Sequence, residues 1–319
     1  MNSRPYRGWL NNKNMQIYAV GETILDIIFK GVEPQTAKPG GSSFNAAISL
    51  GRLGAPITFI SEMGRDRVGD LIQEFMEQNG VDASFVGRFD QGQSAIALAF
   101  LNEHKDAEYQ FYKDYPHQRL AVDFPEFHTD DLLMFGSFYA LNPGIRPRVK
   151  GLLDQAYAAG ATIVYDPNFR STHNPERKAL IPDIEENMDY ATVVRASDED
   201  LLNIFGSRNP DEAWEQVGRH SEVLIYTANA KGVHIRTAGL SFQVEVEPIQ
   251  PVSTIGAGDT FNAGLLYGIW KEGYGKDVIG SLDRNQWEAL LGRAILFSRE
   301  VCLSYENYLP LTFVKQYIK

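Results

Sequence analysis

Four short segments of this 319-residue chain combine polar residue types with backbone that lets a ligand come close. The first is Thr254-Ile255-Gly256-Ala257-Gly258-Asp259-Thr260-Phe261-Asn262-Ala263-Gly264, a glycine-rich turn leading into a stretch whose apolar face includes Leu265, Leu266 and Ile269. Backbone N–H groups at a helix start face outward and the helix dipole favours an anion there, so Gly256, Ala257 and Gly258 read as a phosphate cradle. Their small size lets the phosphate reach the backbone. Asp259 repels an anion unless it has a separate task, and taking a proton from an attacking hydroxyl is such a task. A carboxylate that merely caps its helix fits the spacing equally well.

The second segment, Pro39-Gly40-Gly41-Ser42-Ser43-Phe44-Asn45, sets paired glycines before a helix. Asn45 can both donate and accept, which suits a polyhydroxylated ligand; an ordinary capped turn is the alternative. The third, Asp166-Pro167-Asn168-Phe169-Arg170, closes a buried strand, where open α/β sheets gather ligands. Arg170 suits a phosphate or carboxylate, or else a salt bridge to Asp166 or another neighbour. The fourth is Asp26 between Leu25 and Ile27. A carboxylate in an apolar strand needs a partner, and sugar hydroxyls would serve unless the position is a solvent-facing edge.

Other chemistries are excluded. There is no G-x-x-x-x-G-K-[ST], and Phe261 stands where a dinucleotide fingerprint has its third glycine. No H-E-x-x-H, G-x-S-x-G or H-R-D set occurs. One cysteine, Cys302, rules out an internal disulfide framework and a cysteine-cluster metal site. A net charge of −11 without a basic cluster disfavours nucleic acid and anionic membranes as partners, since both require Lys and Arg against phosphate. The longest clean apolar run, 95–101, falls far short of the roughly 20 residues that span a bilayer. A reducing compartment, the cytoplasm, is the economical expectation.

The elements that must position these residues follow from patterning. Apolar, β-rich runs at 17–20, 57–61, 131–136, 162–166, 191–195 and 223–227 alternate with helical stretches. Ala46, Ala47, Leu50 and Leu53 form one helical stripe, and Leu71, Ile72, Phe75 and Met76 another. Such alternation predicts an α/β doubly wound, mainly parallel sheet flanked by helices. Two regions break the rhythm. Residues 24–30, 94–101 and 108–113, the last two around a polar tip at 102–106, read as antiparallel hairpin material and predict a small β flap. Residues 232–238 and 241–246 read as a second hairpin. Residues 1–14 carry two arginines followed by only Trp9 and Leu10, so they read as an arm or an over-extended start before a domain beginning at Met15.

Taken in order, these segments resemble the ribokinase-like (PfkB) carbohydrate kinase family, and within it the fructokinase branch. The resemblance rests on Gly21-Glu22 with Asp26, Gly40-Gly41 with Asn45, Leu50 to Ala55, and Gly64, Asp66 and Gly69. It continues through Asn79 to Asp82, Asp166-Pro167-Asn168 with Arg170, and Gly256-Ala257-Gly258-Asp259. It implies a ribokinase-like domain over 15–319, with a small β-sheet lid from about 25–38 and 92–115 that is often a homodimer contact in this family. It implies ATP and Mg2+, with Asp259 as the catalytic base and the N–H groups of Gly256, Ala257 and Gly258 as the anion hole. Asp26, Gly41 and Asn45 correspond to sugar ligands, with Ser42 and Arg170 beside them. Ser197, Thr227, Asn229, Gly232 and Gly258 correspond to nucleotide contacts, and Asp200 to a magnesium contact through water.

Three positions depart from the family pattern. Ser253 replaces an Asp near a loop that often holds a monovalent cation, Asp200 replaces a Glu, and Asn229 replaces a Gly. Asn tolerates left-handed backbone, so the turn at 227–232 can survive. The implied activity is ATP-dependent phosphorylation of a free sugar, fructose at its 6-hydroxyl, because Asp26, Ser42 and Asn45 stand in place of a cationic pair. A 2-keto-3-deoxygluconate kinase, a ribokinase or nucleoside kinase, and a catalytically silent kinase-like binding protein are the alternatives.

Overall fold

The structure, a computed structural model, describes residues 15–101 and 107–319; the expected arm at 1–14 and the hairpin tip at 102–106 lie outside the described residues. The chain runs β1 (Ile17–Val20), β2 (Ile24–Lys30), β3 (Glu33–Gly40), α1 (Ser42–Arg52), β4 (Ile57–Gly64), α2 (Arg67–Gln78) and β5 (Asp82–Phe89). It continues through β6 (Gln93–Leu101), β7 (Ala107–Asp114), β8 (Leu132–Gly136), α3 (Arg146–Ala159), β9 (Thr162–Asp166), α4 (Arg177–Tyr190) and β10 (Val193–Ser197). The last third holds α5 (Asp198–Phe205), α6 (Pro210–Val217), β11 (Val223–Thr227), β12 (Val233–Arg236) and β13 (Ser241–Val244). It closes with α7 (Ala257–Glu272), α8 (Lys276–Ile279), α9 (Arg284–Cys302) and α10 (Leu311–Tyr317).

Nine strands form one sheet in the order β13-β12-β11-β10-β9-β8-β1-β4-β5. From β11 to β5 every pairing is parallel; β12 and β13 add an antiparallel hairpin at one edge. The two-residue period of a strand sends alternate side chains to opposite cores. Ile17, Ala19, Met134 and Val164 join the core under α1, α7 and α9, whereas Tyr18, Val20, Phe135 and Tyr165 join the core under α3 and α4. This double coverage is why the inner strands are apolar almost throughout. Among the described residues no helix is long and apolar enough to cross a membrane.

A second sheet of four strands has the order β3-β2-β6-β7. Two of its features depart from the sequence expectation. β2 and β6 pair in parallel, although only antiparallel pairs were expected there. β3, Glu-Pro-Gln-Thr-Ala-Lys-Pro-Gly, carries no strand signal; it lies on the sheet edge, where proline removes no needed hydrogen bond. β5 is likewise an unpredicted strand on the edge of the large sheet.

β6 alternates Ala95, Ala97 and Ala99 with Ile96, Leu98 and Phe100, so one face of the small sheet is lined by alanine and the other by bulky apolar residues. Register places Asp26 and Phe111 on the alanine face beside Ala97. The chain crosses between the two sheets beside Glu22, whose carboxylate accepts from Lys113 Nζ at 2.7 Å and Tyr115 Oη at 2.6 Å. Glu62 in β4 grips the returning segment through the Arg119 guanidinium and the Leu120 N–H.

α7 and α9 cross most closely at Gly264, where a Cβ would stand 2.6 Å from the Ala294 Cα. Replacing Gly264 with Ala gains about 1 kcal/mol of helix propensity. The forced separation of two backbones costs roughly 1–3 kcal/mol, so packing wins. Gly264→Ala is therefore expected to lower the urea midpoint with an unchanged m-value, and a midpoint at or above the parent's would overturn this account of the crossing.

Candidate active site

Two helices begin at the same place. α7 starts after Gly256, whose φ of 78° is left-handed and whose Cβ would lie 2.2 Å from the Asn307 carbonyl oxygen. α1 starts after Gly41, with φ 133° and a Cβ position 2.2 Å from the Glu22 carbonyl oxygen. Both positions require glycine, and neither supplies a side-chain cap. In the first turn of α7 the Ala257 N–H makes a long 3.3 Å bond to the Thr254 carbonyl. The positive ends of both helix dipoles thus converge on one point.

Asp259 sits at that point in the first turn of α7. It does not cap its own helix. Its Oδ1 accepts from Ser42 Oγ at 2.9 Å and its Oδ2 from Asn45 Nδ2 at 2.8 Å, so the two α1 residues read from the sequence as sugar ligands hold the carboxylate. Asn45 is buried, and its Oδ1 has no partner among the described residues. Burial pushes the Asp259 carboxyl up to about 6, against the downward pull of the Asn45 and Ser42 hydrogen bonds. Asp166 adds to the rise and Arg195 opposes it.

The ends of three parallel strands lie beneath the α7 start. Asp166 closes β9 and is buried; it accepts from the Asn168 N–H at 3.1 Å, Asn262 Nδ2 at 2.6 Å and Arg195 Nη1 at 2.9 Å. Arg195 in β10 also donates from Nη2 to Thr227 Oγ1, at the end of β11, at 2.9 Å. Asp166 therefore pairs with Arg195 and not with Arg170. Arg195 escaped the sequence reading, although a charged residue inside Val-Val-Arg-Ala-Ser is the same signal that singled out Asp26.

Ser197 and Asp200 close on each other at the start of α5. Asp200 Oδ2 accepts from the Ser197 N–H at 2.7 Å and Oγ at 2.6 Å, and its Oδ1 accepts from the Phe169 N–H at 2.7 Å. Burial and the nearby Asp166 raise the Asp200 carboxyl above its ordinary range. Among the described residues no group of three or more His, Cys, Asp or Glu side chains could hold a metal ion. Asn229 adopts φ 49° and Gly232 φ 103°, closing the turn after Thr227 with the Ala228 N–H on the Gly232 carbonyl at 2.9 Å. Ser253 Oγ accepts from the Ile255 N–H at 3.2 Å.

On the side of the small sheet, Asp26 is half-buried on an inner strand, and its carboxylate makes no hydrogen bond to a described residue. Burial pushes it up to about 7. Partial burial raises the Tyr109 hydroxyl above its ordinary value; the charge of Asp26 adds to the rise and that of Arg170 opposes it. Arg170 is exposed and has no ion-pair partner among the described residues. Asn307, buried and unforeseen, comes from the segment after α9, and its Nδ2 lies 3.9 Å from the Gly40 Cβ position that Asp26 also approaches.

An open α/β sheet with two helix starts over its carboxyl edge, a carboxylate between them and a small β-sheet opposite defines a ribokinase-like fold with a cleft over that edge. The pfkB family carbohydrate kinase profile matches residues 15–289, and the chain belongs to that family, in its fructokinase branch. The chain is 30% identical to a probable fructokinase-4 of Arabidopsis thaliana, over 80% of this chain and 82% of that protein. It is 26% identical to a fructokinase of Vibrio alginolyticus, over 79% and 83%. A solved fructokinase double mutant from Vibrio cholerae, bound to fructose, ADP and potassium, superposes with a TM-score of 0.83 at 20% identity, covering 96% of this chain and 98% of that one. Aminoimidazole riboside kinase from Salmonella enterica, solved with aminoimidazole riboside and an ATP analogue, gives 0.79 at 20% identity, over 95% and 100%. At such identities these two likenesses concern the fold.

A carboxyl raised in the fold stabilises it while protonated, fully below the ordinary value of 3.8, and loses that contribution as pH rises through about 6. Asp259→Asn removes the cost of the buried charge. The melting temperature of the variant relative to the parent is expected to be more favourable at pH 8 than at pH 4.5. A difference that is flat or reversed with pH contradicts a desolvated, ionised carboxylate at this position.

Proposed function

We propose that this chain transfers the terminal phosphoryl group of ATP to a free sugar, with the 6-hydroxyl of fructose as the acceptor. The observation that carries this reading is the Asp259 carboxylate, held by Ser42 and Asn45 at the convergence of two helix starts. A carboxyl titrating at about 6 is ionised at neutral pH yet basic enough to accept a proton. In the proposed step the sugar oxygen bonds to the γ-phosphorus as its proton passes to Asp259. The bond from phosphorus to the bridging oxygen breaks, and ADP leaves with that electron pair. The backbone of Gly256, Ala257 and Gly258 faces the charge that develops on the phosphoryl oxygens.

Magnesium arriving with the nucleotide would neutralise phosphate charge. Asp200, whose oxygens both accept protein hydrogen bonds, fits a contact through water and not direct ligation. Ser197 and the turn from Thr227 through Asn229 to Gly232 line the nucleotide in this reading. Asp26, Gly41, Ser42, Asn45 and Arg170 line the sugar, with the small sheet as its lid. The relatives named fructokinases support the choice of a ketohexose. The unpaired Arg170 supports a second reading, an acidic sugar such as 2-keto-3-deoxygluconate, whose carboxylate it would meet. ATP use and a single buried Cys302 suit a reducing compartment, the cytoplasm.

A panel of fructose, 2-keto-3-deoxygluconate, ribose and adenosine, read by ADP release, tests the reading. Fructose is expected to give the highest kcat/KM, with an acid limb near pH 6. Asp259→Asn is expected to lower kcat by on the order of 10³-fold while sugar affinity stays close to the parent's. A preference for the acid sugar moves the assignment to Arg170, one for ribose or adenosine overturns the branch, and equal turnover in variant and parent removes the general base.

We also propose a homodimer through the outer face of the small sheet. Ile27, Ile96 and Leu98 are half-exposed there, and Phe29 stacks on Phe100 at 5.1 Å with Phe100 37% and Tyr112 52% exposed. A contiguous apolar face of this kind is unusual on a monomer. Sedimentation velocity is expected to show a dimer for the parent and a folded monomer for Leu98→Lys; a monomeric parent ends this proposal.

A further inference from the structure

We propose that Arg195 is a positioning residue for phosphoryl transfer, tying the ends of three strands to the α7 start and keeping a fixed positive charge behind the anion hole. The inference rests on the phosphoryl-transfer reading given above. Its geometry is independent of any sequence motif. One guanidinium bridges Asp166 on β9 and Thr227 on β11, each at 2.9 Å. A Cβ on Gly258 would lie 2.9 Å from Nη1, so the backbone of the phosphate cradle rests directly on the guanidinium. Phe261 in the next turn of α7 places its ring centroid 5.4 Å away. Arg195 is 9% exposed, and its Nε–H has no partner among the described residues.

The charges around this point make the cation necessary for the chemistry. The charge of Asp166 reaches both Asp200 and Asp259, and the positive charge of Arg195 opposes it at each. Polyphosphate entering the same space adds further negative charge. A buried ion pair is no better for stability than a well-packed apolar pair, so stability alone gives no reason for placing one here. The planar fork also matters. Arginine can meet acceptors on two strands at once, whereas lysine offers a point charge that meets one. Because Thr227 opens the nucleotide turn and Gly258 belongs to the cradle, a shift of Arg195 misplaces both sides of the bond being broken.

The test uses Arg195→Lys, Arg195→Gln and the double variant Arg195→Gln with Asp166→Asn, which leaves no unpaired buried carboxylate if the single Gln variant fails to fold. Melting temperature, affinity for ADP and for a non-hydrolysable ATP analogue, and the pH profile of sugar-dependent kcat are measured on each. Arg195→Lys is expected to keep the acid limb near pH 6 and to lose about tenfold in kcat. Arg195→Gln is expected to lose on the order of 10²-fold, with the limb moved to higher pH and the preference for the ATP analogue over ADP gone. In the double variant the limb returns toward the parent position, because the opposing charge of Asp166 is gone, yet the loss in kcat persists. A folded double variant with parent-like kcat and nucleotide preference overturns the inference, as does a loss confined to melting temperature. A parent that binds the analogue but phosphorylates none of the sugars defeats the proposed substrate alone, and the nucleotide preference then decides for or against Arg195. A parent that binds neither nucleotide overturns both.

Discussion

Everything in the cleft depends on a carboxylate that water no longer solvates freely. Asp259 is drawn from the sheet's covering helix into a point where Ser42, Asn45 and two helix starts replace part of its hydration. Desolvation works against the charge and the donors work for it, and the balance leaves the group titrating near 6. A fully solvated Asp would be too weak a base for the proposed proton transfer. One buried without donors would stay protonated.

That balance needs two helices to begin within hydrogen-bond reach of each other although 217 residues separate Ser42 from Asp259. The large sheet supplies the frame. Its central strands run parallel, so β9, β10 and β11 present their carboxyl ends on one side. Asp166, Arg195 and Thr227 meet there, and the Arg195 guanidinium underlies Gly258. The segment after α9 closes the arrangement from the other direction, with the Asn307 carbonyl against Gly256, Arg52 Nη1 on the Leu309 carbonyl at 2.6 Å and Lys38 Nζ on the Tyr305 carbonyl at 3.1 Å. The small sheet, α1 and α7 are thereby fastened to one loop.

Much of the frame was legible in the chain. Buried parallel strands are continuous apolar runs, which is why 17–20, 162–166 and 223–227 coincide with β1, β9 and β11. β3 and β5 were illegible because edge strands tolerate proline and polar residues, so their sequences carry no strand pattern. The parallel pairing of β2 with β6 was hidden for another reason: register between strands about 70 residues apart is set by packing, not by a local turn. In the site, glycine spacing marked both helix starts. It carried no sign that Asp200 would be enclosed by Ser197 and Phe169, or that Asn307 would reach the cleft.

By itself, then, the sequence determined the alternation of elements, the two glycine-led helix starts, and the presence of carboxylates at Asp26 inside an apolar strand, Asp166 at a strand end and Asp259 after a glycine turn. Those properties are local: they follow from side-chain period, from φ values only glycine accepts, and from residue chemistry. Tertiary structure alone decided which groups answer one another. It paired Asp166 with Arg195 instead of Arg170, turned Ser42 and Asn45 onto Asp259, and left Arg170 exposed without an ion-pair partner among the described residues. Such pairings depend on distances between elements remote in sequence and on the loss of solvent between them, and no short stretch of residues encodes either.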